Sequence, residues 1–215
     1  MLRLNRCPGV LCLLMLFVSS EMNAAATILP ATTLQKMLID VETMQASFTQ
    51  VTNDSNHNSV QSSAGDLWLG AVARFRIETT SPFRQTLVSD GVDFWSYEED
   101  LEQVVVQTLE TDVKKVPILL FGSKDQNLLE NYQVSIYEED REKVQSFILE
   151  PLSTESVFEV ITLSFVDSNP IEISIRDSLG QNTKIEFRET RLNTVILDKV
   201  FQFKVPDGTD VIDDR

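Results

Sequence analysis

The sequence predicts a mainly β protein with some helix: an antiparallel sheet of about a dozen strands, curled into an incomplete barrel with helices over its mouth. Three observations predict it. From Ala46 onward, apolar residues recur at a period of two, in short runs broken by polar or glycine-containing turns. In the first half no connection is long enough for a parallel crossover, so those strands are antiparallel. Helical signals are confined to two regions, and a curled sheet with one apolar concave face needs something to cover it.

The elements follow in order. Arg3 and Arg6 form a positive segment, Val10 to Val18 is an apolar run too short to span a bilayer, and Asn23 to Thr27 offers an Ala-x-Ala cleavage site. Residues 1–26 therefore read as a secretory signal peptide cleaved after Ala26, leaving one domain over residues 27–215. Both cysteines, Cys7 and Cys12, fall inside the leader, and neither sits in a lipid-attachment pattern. The remaining chain has no disulfide, thiolate nucleophile or cysteine-ligated metal, so core burial alone must hold it.

Thr32 to Gln45 predicts a helix, because Leu34, Met37, Leu38, Val41 and Met44 form one stripe at the helical period. The period then drops to two through ASFTQVT, GDLWLG, RFRIETT, RQTLVSD, DFWSYEE and EQVVVQT. Asp90-Gly91 marks a hairpin, and Glu98-Glu99-Asp100 a charged turn. Pro117 suits a first helical position, with Ile118 to Phe121 as an apolar plug, and a second short helical piece holds Leu128 and Leu129. Strands resume as YQVSIYEE, KVQSFILEP, FEVITLSFVD, IEISIRD, TKIEFRET and KVFQFKVP. Ile171, Ile173 and Ile175 are expected on one face, as are Ile185 and Phe187. The resulting body has either a filled core or an apolar cavity.

Composition excludes several classes of function. Hydrophobic residues make up 42% of the chain, enough for a real core, and the net charge of −15 repels nucleic acid and anionic membranes. The single histidine, His57, lies in a polar hairpin tip, so neither a zinc site of the usual ligands nor a Ser-His-Asp triad can be assembled. No Walker loop or dinucleotide fingerprint occurs. The acidic runs Glu98-Glu99-Asp100 and Glu138-Glu139-Asp140 fall at expected turns, where solvated carboxylates do not make a glycosidase pair. Binding is favoured over catalysis, with no cofactor and no metal.

The segments ASFTQ (Ala46 to Gln50), GDLWL (Gly65 to Leu69), Phe75-Arg76 and QTLVSDGVDFWSYEEDLEQVVV (Gln85 to Val106) stand in the order and spacing of one known family. Together with Pro117 and its apolar segment, and the terminal VPDGTDVIDDR, they make the chain resemble the LolA family of periplasmic lipoprotein carriers. That resemblance implies an incomplete antiparallel β-barrel of about 11–12 strands covered by about three helices. It implies a soluble, monomeric, non-enzymatic chaperone of the periplasm that holds the acyl chains of outer-membrane lipoproteins in an apolar cavity. The cargo would come from the inner-membrane ABC transporter LolCDE and pass to the receptor LolB. The alternative is a periplasmic lipoprotein-sensing or glycolipid-binding module of the same superfold.

The resemblance also implies lipid-binding residues. Phe75 matches the family's cavity phenylalanine, and Ile77 stands where tryptophan is usual. Leu34, Leu38, Val41 and Met44 match the stripe of the first helix; Ile118, Leu119 and Phe121 match the lid helix; Ile173 joins them from the sheet. Each also suits simple core packing. One departure stands out: where the family usually has an Arg-Pro pair implicated in lid closure and transfer, this chain has Ala71-Val72. Either Arg74 or Arg76 substitutes, or lid closure works differently here; both arginines are expected to alternate away from Phe75.

Overall fold

The computed structural model describes residues 29–109, 117–121, 128–139, 143–154 and 156–215; the expected leader lies outside them. The chain forms α1 (Pro30–Ile39), then β1 (Met44–Asn53), β2 (Ser59–Gly70), β3 (Arg74–Ser81), β4 (Gln85–Asp90), β5 (Asp93–Glu98) and β6 (Gln103–Thr108). A 3-10 turn at Glu99–Leu101 links β5 to β6; after two more, Pro117–Leu120 and Leu128–Asn131, come β7 (Tyr132–Glu139), β8 (Val144–Pro151), β9 (Phe158–Val166), β10 (Asn169–Asp177), β11 (Asn182–Leu192) and, after a further 3-10 turn at Asp198–Phe201, β12 (Asp210–Asp214). All twelve strands belong to one sheet, ordered β12-β6-β5-β4-β3-β2-β1-β11-β10-β9-β8-β7. The long step in this order is β1 beside β11, which joins the two meanders in the middle of the sheet.

Turn chemistry explains the meanders. At the β4–β5 turn Gly91 takes φ +99°, and the Asp90 carboxylate accepts hydrogen bonds from the Val92 and Asp93 amides, both at 2.9 Å. Asp167 and Ser168 both take positive φ, the backbone of a tight two-residue hairpin between β9 and β10. Gly65 has a different role. A Cβ there would lie 1.9 Å from the Glu78 carbonyl, so only glycine permits the register shift between β2 and β3.

The concave face carries one continuous apolar body. Met44, Phe48, Leu67, Leu69 and Phe75 from the first meander meet Phe147, Leu149, Ile161, Leu163, Phe165 and Ile173 from the second, with Leu34 and Leu38 of α1 between them. Ring edges interlock: Phe147 and Phe165 are 5.8 Å apart at 82°, and Phe121 reaches Phe165 at 6.0 Å and Phe187 at 6.4 Å. Ile171 does not join the row with Ile173 and Ile175. A bulge between Pro170 and Glu172 skips it, and Pro170 is buried instead.

The structure corrects the helix count and the first helix's end. Among the described residues α1 is the one α-helix; the pieces at Pro117 and Leu128 are single 3-10 turns of four residues each. Helix α1 starts with Pro30 in its first turn but ends at Ile39, so Val41 and Met44 are not on it. Met44 opens β1, paired with Leu69 and Leu192. Its position suits both the helical stripe and the strand alternation Met44, Ala46, Phe48. Tertiary hydrogen bonds settle the choice: Asn193 donates its side-chain N–H to the Asp40 carbonyl at 2.9 Å and accepts from the Glu42 amide at 2.7 Å.

The C-terminal segment is corrected as well. KVFQFKVP is not a strand; it crosses the convex face as a 3-10 turn and an extended strap. Its alternation is satisfied by packing instead of a ladder. Phe203 lies 6.3 Å from Trp95 and 5.9 Å from Tyr97, and Arg74 sits 5.2 Å above the Phe201 ring. Val88 and Val106, opposite Trp95 in register, and Val104, opposite Tyr97, are buried, as is Phe201 of the strap. The strap delivers β12 to the free edge of β6, where it pairs in parallel. Arg215 pins that end, bridging to Asp93 at 2.9 Å and to Asp213 at 2.5 Å, and holds the Asp213 carboxyl down at about 2, chiefly by hydrogen bonding.

At the β2–β3 turn, Val72 and Ala73 take φ of 62° and 56°. Left-handed backbone costs an L-residue about 1–2 kcal/mol, and a β-branched side chain is the poorest occupant. Val72 is 73% exposed and gains little packing in return. Val72→Asn is therefore expected to stabilise the fold by about 1 kcal/mol. A urea midpoint that rises with unchanged slope checks this; an unchanged or lower midpoint refutes it.

Candidate functional site

On the concave side, where the second half of β1 faces the ends of β2, β3 and β4, the apolar body does not fill the sheet. A cavity of about 900 Å³ remains there, walled by Phe48, Leu67, Ile77, Leu87, Ile118 and Ile185. That volume is near the upper end for small-molecule sites. Register explains the wall. Leu67 is opposite Ile77 and Ile77 is opposite Leu87, so three adjacent strands present one apolar row. Ile185, opposite Gln50, extends the wall into the second meander.

The mouth is apolar too. Val60 is 58% exposed, Phe83 71% and Leu101 64%, and all three border the opening. They come from different elements: the start of β2, the β3–β4 turn and the β5–β6 turn. Their convergence on one opening exposes hydrophobic surface where an apolar guest would enter. Polar groups join them, namely Gln50, Ser63, Thr79 and Gln85 within the cavity and Arg84, Glu98 and Asp100 at its lip.

The ten residues expected to bind lipid all belong to, or pack against, the concave apolar body. Ile77 and Ile118 line the cavity. Leu34, Leu38, Val41, Met44, Phe75, Phe121 and Ile173 are buried in the packed region beside it, and Leu119 is half-buried against it. Sequence reasoning missed Phe48, Leu67, Leu87 and Ile185 as cavity wall. A signal existed in the strand alternation, but it marks every inward position alike and does not say which ones lack a covering neighbour.

Arg74 and Arg76 point to the convex face. Arg74 pairs with Asp198 at 2.8 Å, and Arg76 pairs with Glu78 at 2.5 Å and donates to the Val200 carbonyl at 3.5 Å. Both hold the strap. The positions Ala71-Val72 lie in the turn at the far end of β2 and β3 from the cavity mouth.

Among the described residues the lining contains no histidine, cysteine or lysine. Glu98, Glu99 and Asp100 are exposed at their turn, and His57 is exposed at the β1–β2 tip. The second acidic run ends at residue 140, outside the described residues. No helix of the described residues is long and apolar enough to cross a membrane.

Comparison with known proteins agrees with this picture. The model of the family described as "Outer membrane lipoprotein carrier protein LolA" matches residues 40–204. An outer-membrane lipoprotein carrier protein of Hahella chejuensis is 36% identical over 179 residues, 83% of this chain and 86% of that protein. Its namesake in Legionella pneumophila is 34% identical over 200 residues, 93% of this chain and 96% of its own. A solved structure of an uncharacterized conserved protein from Thermus thermophilus shares the fold at a TM-score of 0.54 with 14% identity, over 84% of this chain and 99% of that one.

Proposed function

Because the chain belongs to the LolA family of outer membrane lipoprotein carrier proteins, we propose that it holds lipoprotein acyl chains in the concave cavity and carries them through the periplasm. The observation that carries this reading is the cavity itself: about 900 Å³, walled by aliphatic and aromatic side chains and open through an apolar rim. In this reading residues 1–26 are a cleaved leader, and residues 27–215 act as a monomeric carrier domain.

The physical need is large. Burial is worth about 0.8 kcal/mol per methylene, so exposing an acyl chain of about 15 methylenes costs roughly 12 kcal/mol. A lipoprotein cannot cross an aqueous space bearing that cost, and an apolar cavity removes most of it. The first chain enters past Phe83 and Leu101 and lies along Leu67, Ile77 and Leu87. Further chains require α1 and the Pro117–Phe121 segment to part from the sheet. Leu34, Leu38, Phe75, Phe121 and Ile173 then become cavity wall, which gives the packed residues their carrier role. Loading by the inner-membrane transporter LolCDE and handover to the receptor LolB complete the cycle. The carrier needs no nucleotide of its own, since binding and release differ only in which cavity holds the chains better.

The test is release of lipoprotein from spheroplasts that are making a labelled outer-membrane lipoprotein. Added carrier is expected to bring the lipoprotein into the soluble fraction as a one-to-one complex. Folded protein that releases none, with the native transporter present, rejects the carrier reading in favour of a sensing or glycolipid-binding module.

A further inference from the structure

One corner of the cavity is polar in an ordered way. Along β1 the inward side chains run Met44, Ala46, Phe48 and then Gln50; along β3 they run Phe75, Ile77 and then Thr79; along β4, Leu87 and then Gln85. The register aligns these switches. Gln50 is opposite Ser63, and Thr79 is opposite Gln85. The result is a band of two amides and two hydroxyls between the apolar floor and the mouth, confined to the first meander. On the other side of Gln50 the same row stays apolar, through Ile185, Ile173, Leu163 and Phe147.

All four side chains of the band line the cavity and are half-buried. None of them has a side-chain hydrogen bond among the described residues, although the neighbouring Thr52 and Thr183 hydroxyls pair at 2.9 Å. Half-buried polar groups left unpaired in a cavity are filled either by water or by a ligand. They are neutral and can donate, which suits carbonyl oxygens. Beyond them the lip is acidic: Glu98, opposite Gln85, and Asp100. Arg84, the one cation among the described lining residues, is 3.7 Å from Glu99 and therefore already opposed by an acid.

We infer that this band is a headgroup subsite that binds the neutral ester and amide carbonyls joining acyl chains to their carrier molecule, while the acidic lip rejects anionic lipids. The inference rests on the carrier reading and adds a selectivity that an apolar cavity alone lacks. A phospholipid with the same chains would place its phosphate over Glu98 and Asp100, where like charges repel.

The experiment is a competition on the protein in its secreted form, with a pyrene-labelled alkane as the reporter. Dioctanoylglycerol is expected to compete about three- to tenfold better than dioctanoyl phosphatidylglycerol. Gln50→Leu combined with Gln85→Leu is expected to weaken dioctanoylglycerol about tenfold, by loss of two hydrogen bonds, while the alkane, which gains apolar wall, binds no more weakly than before. Thr79→Val, nearly isosteric, repeats the test with less risk to folding and a smaller loss of the same selectivity. Equal competition by the two lipids, or losses equal for ester and alkane, overturns the headgroup subsite and leaves the carrier reading standing. Failure of the alkane itself to bind the wild type overturns both.

Discussion

Ile77→Glu is expected to abolish acyl binding while the sheet stays folded. Ile77 sits at the centre of the cavity wall, between Leu67 and Leu87, and is only half-buried, so the introduced carboxylate is hydrated when the cavity is empty. An acyl chain laid against it strips that water. An uncompensated buried charge costs about 3–5 kcal/mol, which is a loss of about 10²–10⁴ in affinity. The effect carries a pH signature. Occupation of the cavity favours the neutral acid, so the carboxyl's pKa is raised in the bound state and binding recovers as pH falls toward about 4. Titration with a fluorescent fatty acyl probe, alongside circular dichroism, checks this. Unchanged affinity at neutral pH would place the acyl chain elsewhere. Phe75→Glu is a poorer probe, because Phe75 is 1% exposed and a carboxylate there attacks the fold itself.

Phe165→Ala is expected to produce the largest loss of stability. Phe165 is 1% exposed and meets both Phe147 and Phe121, so it ties the second meander to the Pro117–Phe121 segment. Truncating a buried phenylalanine costs about 3–5 kcal/mol. Both cysteines lie in the expected leader, so no disulfide supports the domain, and the loss is a large share of the roughly 5–15 kcal/mol that holds a domain. The melting temperature should fall on the order of 10 °C by calorimetry. Leu101→Ala, at the exposed rim, should leave it nearly unchanged. A small drop for Phe165→Ala would mean that the Phe121 contact is not formed in solution. The same substitution should loosen the cover and raise the rate of acyl uptake, which separates stability from binding.

Much of this was legible in the sequence. The alternating runs mark β1 to β11 closely, and the Asp90-Gly91 and Glu98-Glu99-Asp100 turns fall where their chemistry places them. The family features were also present in local strings. The site was less legible. Of the residues expected to touch lipid, Ile77 and Ile118 reach the cavity, while Phe75 and Phe121 lie in the packed region. An inward side chain in a strand reads the same whether α1 covers it or not.

The sequence by itself determined the class of fold, the antiparallel meanders and the family. These follow from local periodicity, turn residues and composition, which act over a few residues. Only the tertiary structure decided where α1 stops, because Met44 fits helix and strand equally and the hydrogen bonds of Asn193 come from 150 residues away. It alone decided that KVFQFKVP becomes a strap, since Phe201 and Phe203 find their partners on β3 and β5. It also decided which apolar positions are core and which are cavity. That distinction belongs to the space between elements, and no single strand contains it.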